Sequence, residues 1–194
     1  LDSLTVPGDT TFQHLSVSQA YINEVKYIAQ NYNPTYLALA VEIDEYIFSS
    51  DTLERQALLN TISTAIDSVK NINSSIKTFV YFQYENTLCN NLWELIKPFA
   101  DSSDLFVFSS YPFAKHLTGF CFGTDTIYGN NLPLNYFDTI ADVLGNAKPI
   151  AIAEIGEPTE SNSILPQASE QNQKEFINRL KLSISNLNVE FIKM

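Results

Sequence analysis

The apolar residues of this chain recur with two spacings that alternate along the sequence. Five stretches carry apolar residues three or four positions apart, which predicts amphipathic helices. Five shorter runs are almost continuously apolar or aromatic, which predicts buried strands. The apolar stripes of the predicted helices cover 15–32, 53–69, 92–99, 136–144 and 176–187. The predicted strands are Tyr36–Val41, Lys77–Phe82, Asp104–Phe108, Ile150–Ala153 and Val189–Ile192.

Helices and strands alternate strictly after the first helix, and this order predicts a parallel sheet with right-handed crossovers. Asp51 and Ser169 are placed to cap the helices that follow them, because their side chains can accept hydrogen bonds from the first helical turn. The connection over 113–134 is long, and connections of that length are usually functional. The pattern therefore predicts one α/β domain over 1–194.

Carboxylates stand where two of the predicted strands end. In 149–159 (PIAIAEIGEPT), four apolar residues precede Glu154, and the glycine and proline that follow it stop the strand. Glu42 follows the first predicted strand in the same way. Since (β/α) barrels carry their catalytic groups at the C-terminal ends of strands, we expect both glutamates at one rim. Asp44 and Glu45 are predicted to be solvated loop charges.

The composition limits the classes of partner. The chain has 194 residues, 45% of them hydrophobic, which is enough to bury a core as one domain. A formal net charge of −11 argues against nucleic acid and is better suited to a neutral glycan or a cationic partner. The sequence contains no apolar run long enough to span a bilayer, so no membrane-spanning segment is predicted.

Two features bear on the compartment in which the protein works. The sequon that begins at Asn73 is the sequence evidence for an extracellular or secreted protein. Cys89 and Cys121 fall in loops that follow neighbouring strands, so we expect them on the same rim. They can pair in an oxidising compartment if their Cα atoms lie within ~7 Å.

The strand ends resemble clan A of the retaining glycoside hydrolases, whose catalytic domains are (β/α)8 barrels. Residues 37–42 (LALAVE) look like the fourth strand of that clan, and residues 150–156 (IAIAEIG) look like the seventh. Residues 106–112 (FVFSSYP) are similar to the sixth strand of the arabinogalactan endo-β-1,4-galactanase family and its uncharacterised relatives. Residues 171–180 resemble the helix after the nucleophile strand, and the whole resemblance covers about 16–194.

The resemblance implies a retaining β-glycoside hydrolase that acts on a polysaccharide or oligosaccharide. In that family pattern Glu154 is the nucleophile and Glu42 is the acid/base. Tyr111, at the end of its own strand, is predicted to hydrogen-bond the nucleophile as a catalytic residue, and a role as an aromatic residue of the barrel rim stays open. Retaining enzymes hold the two carboxyl groups ~5–5.5 Å apart and work by double displacement. The implied chemistry uses no metal or cofactor.

Other polar residues at the same predicted strand ends are candidates for substrate contacts. Glu85 and Gln83 follow the second predicted strand, and Ser110 follows the third. All three are predicted to bind substrate, and for Glu85 a role in holding a neighbouring loop stays open. Trp93 lies within an apolar helical pattern and is predicted to belong to the core.

The sequence departs from the clan pattern in three ways. Val41 precedes the acid/base where the clan usually has Asn, and Glu157 stands where family members often have Trp. The strands matched are the fourth to the eighth, whereas a full barrel needs ~250 residues. The chain is therefore predicted to lack the first three βα units, which an N-terminal segment or a second chain would supply.

Two alternatives stay open at the level of sequence. The first is a catalytically inactive barrel relative that binds glycan or protein, which the residue change at Val41 favours. The second is a complete, open, five-stranded doubly wound sheet, which would bind its ligand at the point where the strand order reverses.

Overall fold

The computed structural model describes residues 11–114, 127, 129–144, 148–161 and 167–194, which form a parallel α/β structure. The helices are α1 (Leu15–Tyr32), α2 (Ile43–Ser49), α3 (Thr52–Ile72), α4 (Tyr84–Cys89), α5 (Trp93–Ser102), α6 (Asp138–Leu144) and α7 (Glu170–Ser183). The strands are β1 (Tyr36–Ala40), β2 (Lys77–Gln83), β3 (Phe106–Ser110), β4 (Ile150–Ile155) and β5 (Val189–Ile192). Within the described ranges, no helix is long and apolar enough to cross a membrane.

Each strand of the sheet pairs in parallel with the next strand of the sequence, in the order β1-β2-β3-β4-β5. This consecutive order is the one from which a (β/α) barrel is built. A doubly wound sheet instead reverses its strand order at a switch point. The prediction of an α/β barrel segment is therefore confirmed, and the alternative of a doubly wound sheet is wrong.

The two faces of the sheet bury two separate apolar clusters. Alternate residues such as Leu37, Phe82 and Ile152 pack against the helices on the outer face. The inner face carries a second cluster, here called the inner cluster, made of Phe79, Tyr81, Leu105, Val107, Ala151 and Ala153. Because side chains alternate between the two faces of a strand, both faces of this sheet are apolar, as in a barrel wall.

The sheet curls so that side chains of its two edge strands meet near the strand starts. The hydroxyl group of Tyr36 on β1 donates a 2.6 Å hydrogen bond to Oε1 of Glu190 on β5. The Tyr36 and Phe191 rings pack edge to face with centroids 5.0 Å apart. Lys77 of β2 forms an ion pair with the same carboxylate of Glu190. The inner face is thus partly enclosed by these five strands.

The capping predictions for Asp51 and Ser169 are confirmed, and two short helices are additions to the predicted pattern. Asp51 accepts a hydrogen bond from the amide of Glu54 at 2.9 Å, and Ser169 accepts one from Asn172 at 3.1 Å. The helices α2 and α4 follow β1 and β2 directly and have 7 and 6 residues. Helices of fewer than two full turns leave too few apolar positions to establish a helical period.

Candidate active site at the C-terminal rim

Glu42 lies two residues after the end of β1 and caps the start of α2 in an unusual backbone conformation. Its φ and ψ angles are 45° and 47°, in the left-handed region that a residue with a Cβ rarely adopts. The Ser109 hydroxyl on β3 donates a 2.6 Å hydrogen bond to Glu42 Oε1. The strained turn and this hydrogen bond direct the carboxylate of Glu42 towards the end of β3, and strain of this kind is concentrated at functional sites.

An irregularity in β4 directs Glu154 towards the inner side of the sheet. Strict alternation would place Glu154 on the outer face with Ile150 and Ile152, which pack against the helices. The register between β3 and β4 shifts after Phe108, so that Ser109 pairs with Glu154 and Ala153 is skipped. An extra residue of this kind re-aims the side chains that follow it, and such bulges are common beside active sites.

Two tyrosine hydroxyl groups hold the carboxylate of Glu154. Tyr81 of β2 donates to Oε1 and Tyr111, directly after β3, donates to Oε2, each at 2.6 Å. The hydrogen bonds from Tyr111 and Tyr81 lower the pKa of Glu154, and the positive charge of Lys193 acts in the same direction. Burial and the bonds to Glu154 raise the pKa values of both tyrosines. Glu154 is therefore held as the ionised carboxylate, and the tyrosines are held as donors.

The structure brings Glu42, Glu154 and Tyr111 together. Ser109 connects the two carboxylates, because its hydroxyl group binds Glu42 and its backbone pairs with Glu154. The charge of Glu42 also raises the pKa of Tyr81 and of Tyr111, the two residues that bind Glu154. The three residues predicted as catalytic thus share one electrostatic environment at the C-terminal rim of the sheet.

A cavity of about 380 Å³ opens beside Glu154. Tyr111, Glu154 and Lys193 line it, together with Ala153, Ile155 and Met194. A volume of this size lies at the lower end of the range for small-molecule sites. Across the described part of the chain, no group of three or more His, Cys, Asp or Glu residues is arranged to hold a metal ion.

Glu85, Gln83 and Ser110 are buried beneath the rim, where Gln83 and Ser110 each donate a hydrogen bond to Glu85. Glu85 is fully buried and accepts hydrogen bonds from Gln83 Nε2 and Ser110 Oγ at 2.6 Å each. It also accepts from the backbone amide of Tyr111 at 3.1 Å and from the Tyr136 hydroxyl at 2.9 Å. Burial raises the pKa of Glu85, and the hydrogen bonds oppose that effect. This geometry favours the loop-holding role for Glu85, and substrate binding by the three residues stays a prediction.

Asp44 is buried, so its prediction as a solvated loop charge is wrong. Its carboxylate accepts a 2.7 Å hydrogen bond from the backbone amide of Gln83 and another from the side-chain amide of Asn86. Burial raises the pKa of Asp44 despite these bonds. Asp44 therefore ties the turn that contains Glu42 to the end of β2.

The sequence interpretation missed Tyr81 and Ser109 as members of the site. Tyr81 lies in the middle of an apolar run, where an aromatic residue is by default a core residue, and its ring is indeed part of the inner cluster. Ser109 precedes the predicted Ser110, and it is Ser109 that reaches Glu42, because alternation along β3 places it on the same inner face as Val107. The signal available in the sequence was a pair of tyrosines, Tyr81 in one strand and Tyr111 after the next, both at the side of the sheet where Glu154 follows a later strand.

Glu157 is a buried carboxylate that is separate from the pair formed by Glu42 and Glu154. Glu157 is 5% exposed, and its Oε1 accepts a hydrogen bond from the amide of Gly129 at 2.8 Å. Burial raises the pKa of Glu157 to about 7, and the bond from Gly129 opposes this shift.

Cys89 is disulfide-bonded, whereas Cys121 lies outside the described residues, so their pairing stays a prediction.

Comparison with known structures finds the fold of this chain in two proteins of low sequence identity. The GH53 catalytic domain of Ignisphaera aggregans matches with a TM-score of 0.57 and 16% identity, over 90% of this chain and 54% of that domain. A β-glucuronidase of an uncultured Clostridium species matches with a TM-score of 0.59 and 13% identity, over 91% of this chain and 28% of that protein. The chain therefore spans about half of the first relative and less than a third of the second.

No family model and no curated protein sequence matches the chain. The two structural matches therefore support the predicted fold, and at 16% and 13% identity they support the fold alone.

Proposed function

We propose that this chain carries the catalytic glutamates of a retaining β-glycoside hydrolase that acts on a polysaccharide or oligosaccharide. The observation that carries the proposal is the pair of glutamates at one rim, each held in a different way. Glu154 is kept ionised by two tyrosine hydroxyl groups beside a cavity, and Glu42 binds a single serine hydroxyl. Retaining glycosidases need this division between an ionised nucleophile and a carboxyl group that exchanges protons.

In the proposed reaction Glu154 attacks the anomeric carbon of the sugar. A bond forms between a carboxylate oxygen and that carbon, the glycosidic bond breaks, and the leaving oxygen takes a proton from Glu42. Glu42, now ionised, removes a proton from water, and the resulting hydroxide displaces Glu154 from the anomeric carbon. Each displacement inverts the carbon once, so the product keeps the configuration of the substrate.

The fold comparisons support a glycan substrate and an incomplete barrel. The GH53 catalytic domain and the β-glucuronidase both share the fold of this chain, and the chain covers only part of each. We propose that further βα units, from an N-terminal segment or a second chain, complete the barrel and the substrate site. We also propose an extracellular or secreted location, on the evidence of the sequon at Asn73.

A second candidate function is an inactive relative that binds glycan or protein. Val41 favours it, because this side chain is 61% exposed beside Glu42 and cannot hydrogen-bond a sugar hydroxyl group as an amide would. The two candidates differ in whether a covalent bond is broken, so a test of turnover separates them.

The test uses the native polypeptide that carries these 194 residues and a panel of β-linked galactans, glucans and mannans, together with aryl β-glycosides. We expect Glu154→Gln to lower kcat by several orders of magnitude on every substrate that the protein cleaves. Glu42→Gln should lose most activity on glycans but retain rapid cleavage of aryl glycosides whose leaving group needs no proton. The matched control is Glu45→Gln, an exposed acid on the same turn. Full activity in Glu154→Gln would refute the proposal, and inactivity on the whole panel would favour the inactive relative.

A further inference from the structure

The two tyrosines that bind Glu154 do so from different surroundings. Each carboxylate oxygen has its own partner, Oε1 with Tyr81 and Oε2 with Tyr111, both at 2.6 Å. Tyr81 reaches Oε1 from the middle of β2, whereas Tyr111 reaches Oε2 from the residue after β3. The carboxylate plane is therefore fixed from two directions, and rotation about its terminal torsion would break both bonds.

The ring of Tyr81 is enclosed by the inner face of the sheet. Tyr81 is 6% exposed and belongs to the inner cluster. Its cross-strand partner is Val107, which in turn pairs with Ala151. Small side chains on β4, Ala151 and Ala153, leave room for the ring to extend towards Glu154. A ring packed in this way holds its hydroxyl group in one place.

Tyr111 differs because it lines the cavity beside Glu154. The cavity wall contains Tyr111 and Glu154, and Tyr81 is not part of it. The partner of Oε2, Tyr111, therefore lines the cavity, whereas the partner of Oε1, Tyr81, belongs to the inner cluster.

From this geometry we propose that Tyr81 is a positioning residue that anchors Oε1 of Glu154 and thereby presents Oε2 to the sugar as the attacking oxygen. The proposal rests on the proposed role of Glu154 as the nucleophile. When Oε2 forms its bond to the anomeric carbon and the glycosidic bond breaks, Oε1 becomes the carbonyl oxygen of the ester. A carbonyl oxygen still accepts a hydrogen bond, so Tyr81 keeps its partner through both displacements. Tyr111 loses its charged acceptor and becomes available to bind the sugar.

The first test measures the titration of Glu154 without any substrate. Carboxyl carbon NMR of selectively labelled protein is recorded from pH 3 to pH 8 for the wild type, Tyr81→Phe, Tyr111→Phe and Tyr84→Phe. The midpoint for Glu154 should rise in the first two variants, because each removes a donor that stabilises the charged form. Tyr84→Phe is the matched control, since Tyr84 is equally buried on the same segment but donates to the backbone oxygen of Tyr136. An unchanged midpoint in Tyr81→Phe would overturn the proposal.

The second test separates the anchor from the residue at the cavity and needs no variant. Nitration of the native protein by tetranitromethane, followed by peptide mapping, should modify Tyr111 at least tenfold faster than Tyr81. Equal rates at both residues would overturn the assignment. If both tests give the expected results but no glycan is cleaved, the proposed function fails while the anchor stands. If Glu154 supports cleavage, Tyr81→Phe should lower kcat by about tenfold or more, with the acidic limb of the pH profile moved upwards.

Discussion

Replacement of Glu157 by Gln tests how the loop after β4 is held beside the candidate site. The Glu157 carboxylate accepts from Gly129, and its backbone oxygen accepts a 3.1 Å hydrogen bond from the side chain of Gln173. Its Oε2 has no hydrogen-bond partner among the described residues, although the side chain is buried. Ionisation therefore places a negative charge on a buried carboxylate whose only hydrogen bond from the described residues comes from the amide of Gly129.

The cost of that ionisation follows from the difference between two pKa values. The ordinary value is 4.5, and the value in the fold is about 7. The folded state therefore binds a proton more tightly than the unfolded state, so stability is highest at low pH and is lost as pH rises through this window. At about 1.4 kcal/mol per pH unit the full loss would be about 3 kcal/mol. Relaxation and water entry reduce it, and we expect about 2 kcal/mol between pH 5 and pH 8.

The assay compares urea unfolding of the wild type and Glu157→Gln at pH 5 and pH 8. Other buried acids contribute equally to both proteins. The change with pH in the stability difference between wild type and Glu157→Gln therefore reports on Glu157 alone. That difference should move by about 2 kcal/mol in favour of the variant at pH 8. Glu160→Gln, an exposed acid in the same loop, should show no such change. A wild-type carboxyl midpoint near 4.5 by NMR, or parallel pH profiles for wild type and Glu157→Gln, would refute the reasoning.

Two further predictions concern the turn after β1 and the edges of the sheet. Asp44→Ala leaves the buried amides of Gln83 and Asn86 without their acceptor, so it should destabilise the fold by about 2–3 kcal/mol in urea unfolding. The control Glu45→Ala removes an exposed acid and should change stability by less than about 0.5 kcal/mol. The isolated 194 residues should dimerise or aggregate in light scattering, because among the described residues β1 and β5 each pair on one side only, and unpaired strand edges template association. A sharp monomer peak with cooperative thermal unfolding would contradict the view that further βα units close this barrel.

The parts of the fold that follow from periodicity could be predicted from sequence. The five strands and their longer helices were predicted because apolar runs and apolar stripes repeat over many residues. The convergence of Glu42, Glu154 and Tyr111 was predictable because parallel strands end on one rim. Ser109 was not predicted, because its contact joins two residues that are 67 positions apart in the chain. The inward orientation of Glu154 depends on a register shift that no local sequence signal marks.

Buried polar residues were the hardest to predict, for a physical reason. Asp44 looks like an ordinary loop charge in the sequence, because burial of a carboxylate depends on donors far away in the chain. The donors to Asp44 lie 39 and 42 residues further on, at Gln83 and Asn86. Tyr81 was overlooked for the opposite reason, since its ring satisfies the apolar pattern while its hydroxyl group performs the polar role.

The most direct test of the central claim is to trap the sugar on the enzyme. The native polypeptide is incubated with a series of 2-deoxy-2-fluoro-β-glycosides that carry good leaving groups, and its peptides are analysed by mass spectrometry. The fluorine slows both displacements, and the good leaving group restores the rate of the first one. A covalent glycosyl-enzyme should therefore accumulate. The account predicts one fluoroglycosyl group on the peptide that contains Glu154, and no such group in Glu154→Gln. Labelling of a different carboxylate, or turnover of a β-glycoside to the α-anomer, would contradict it.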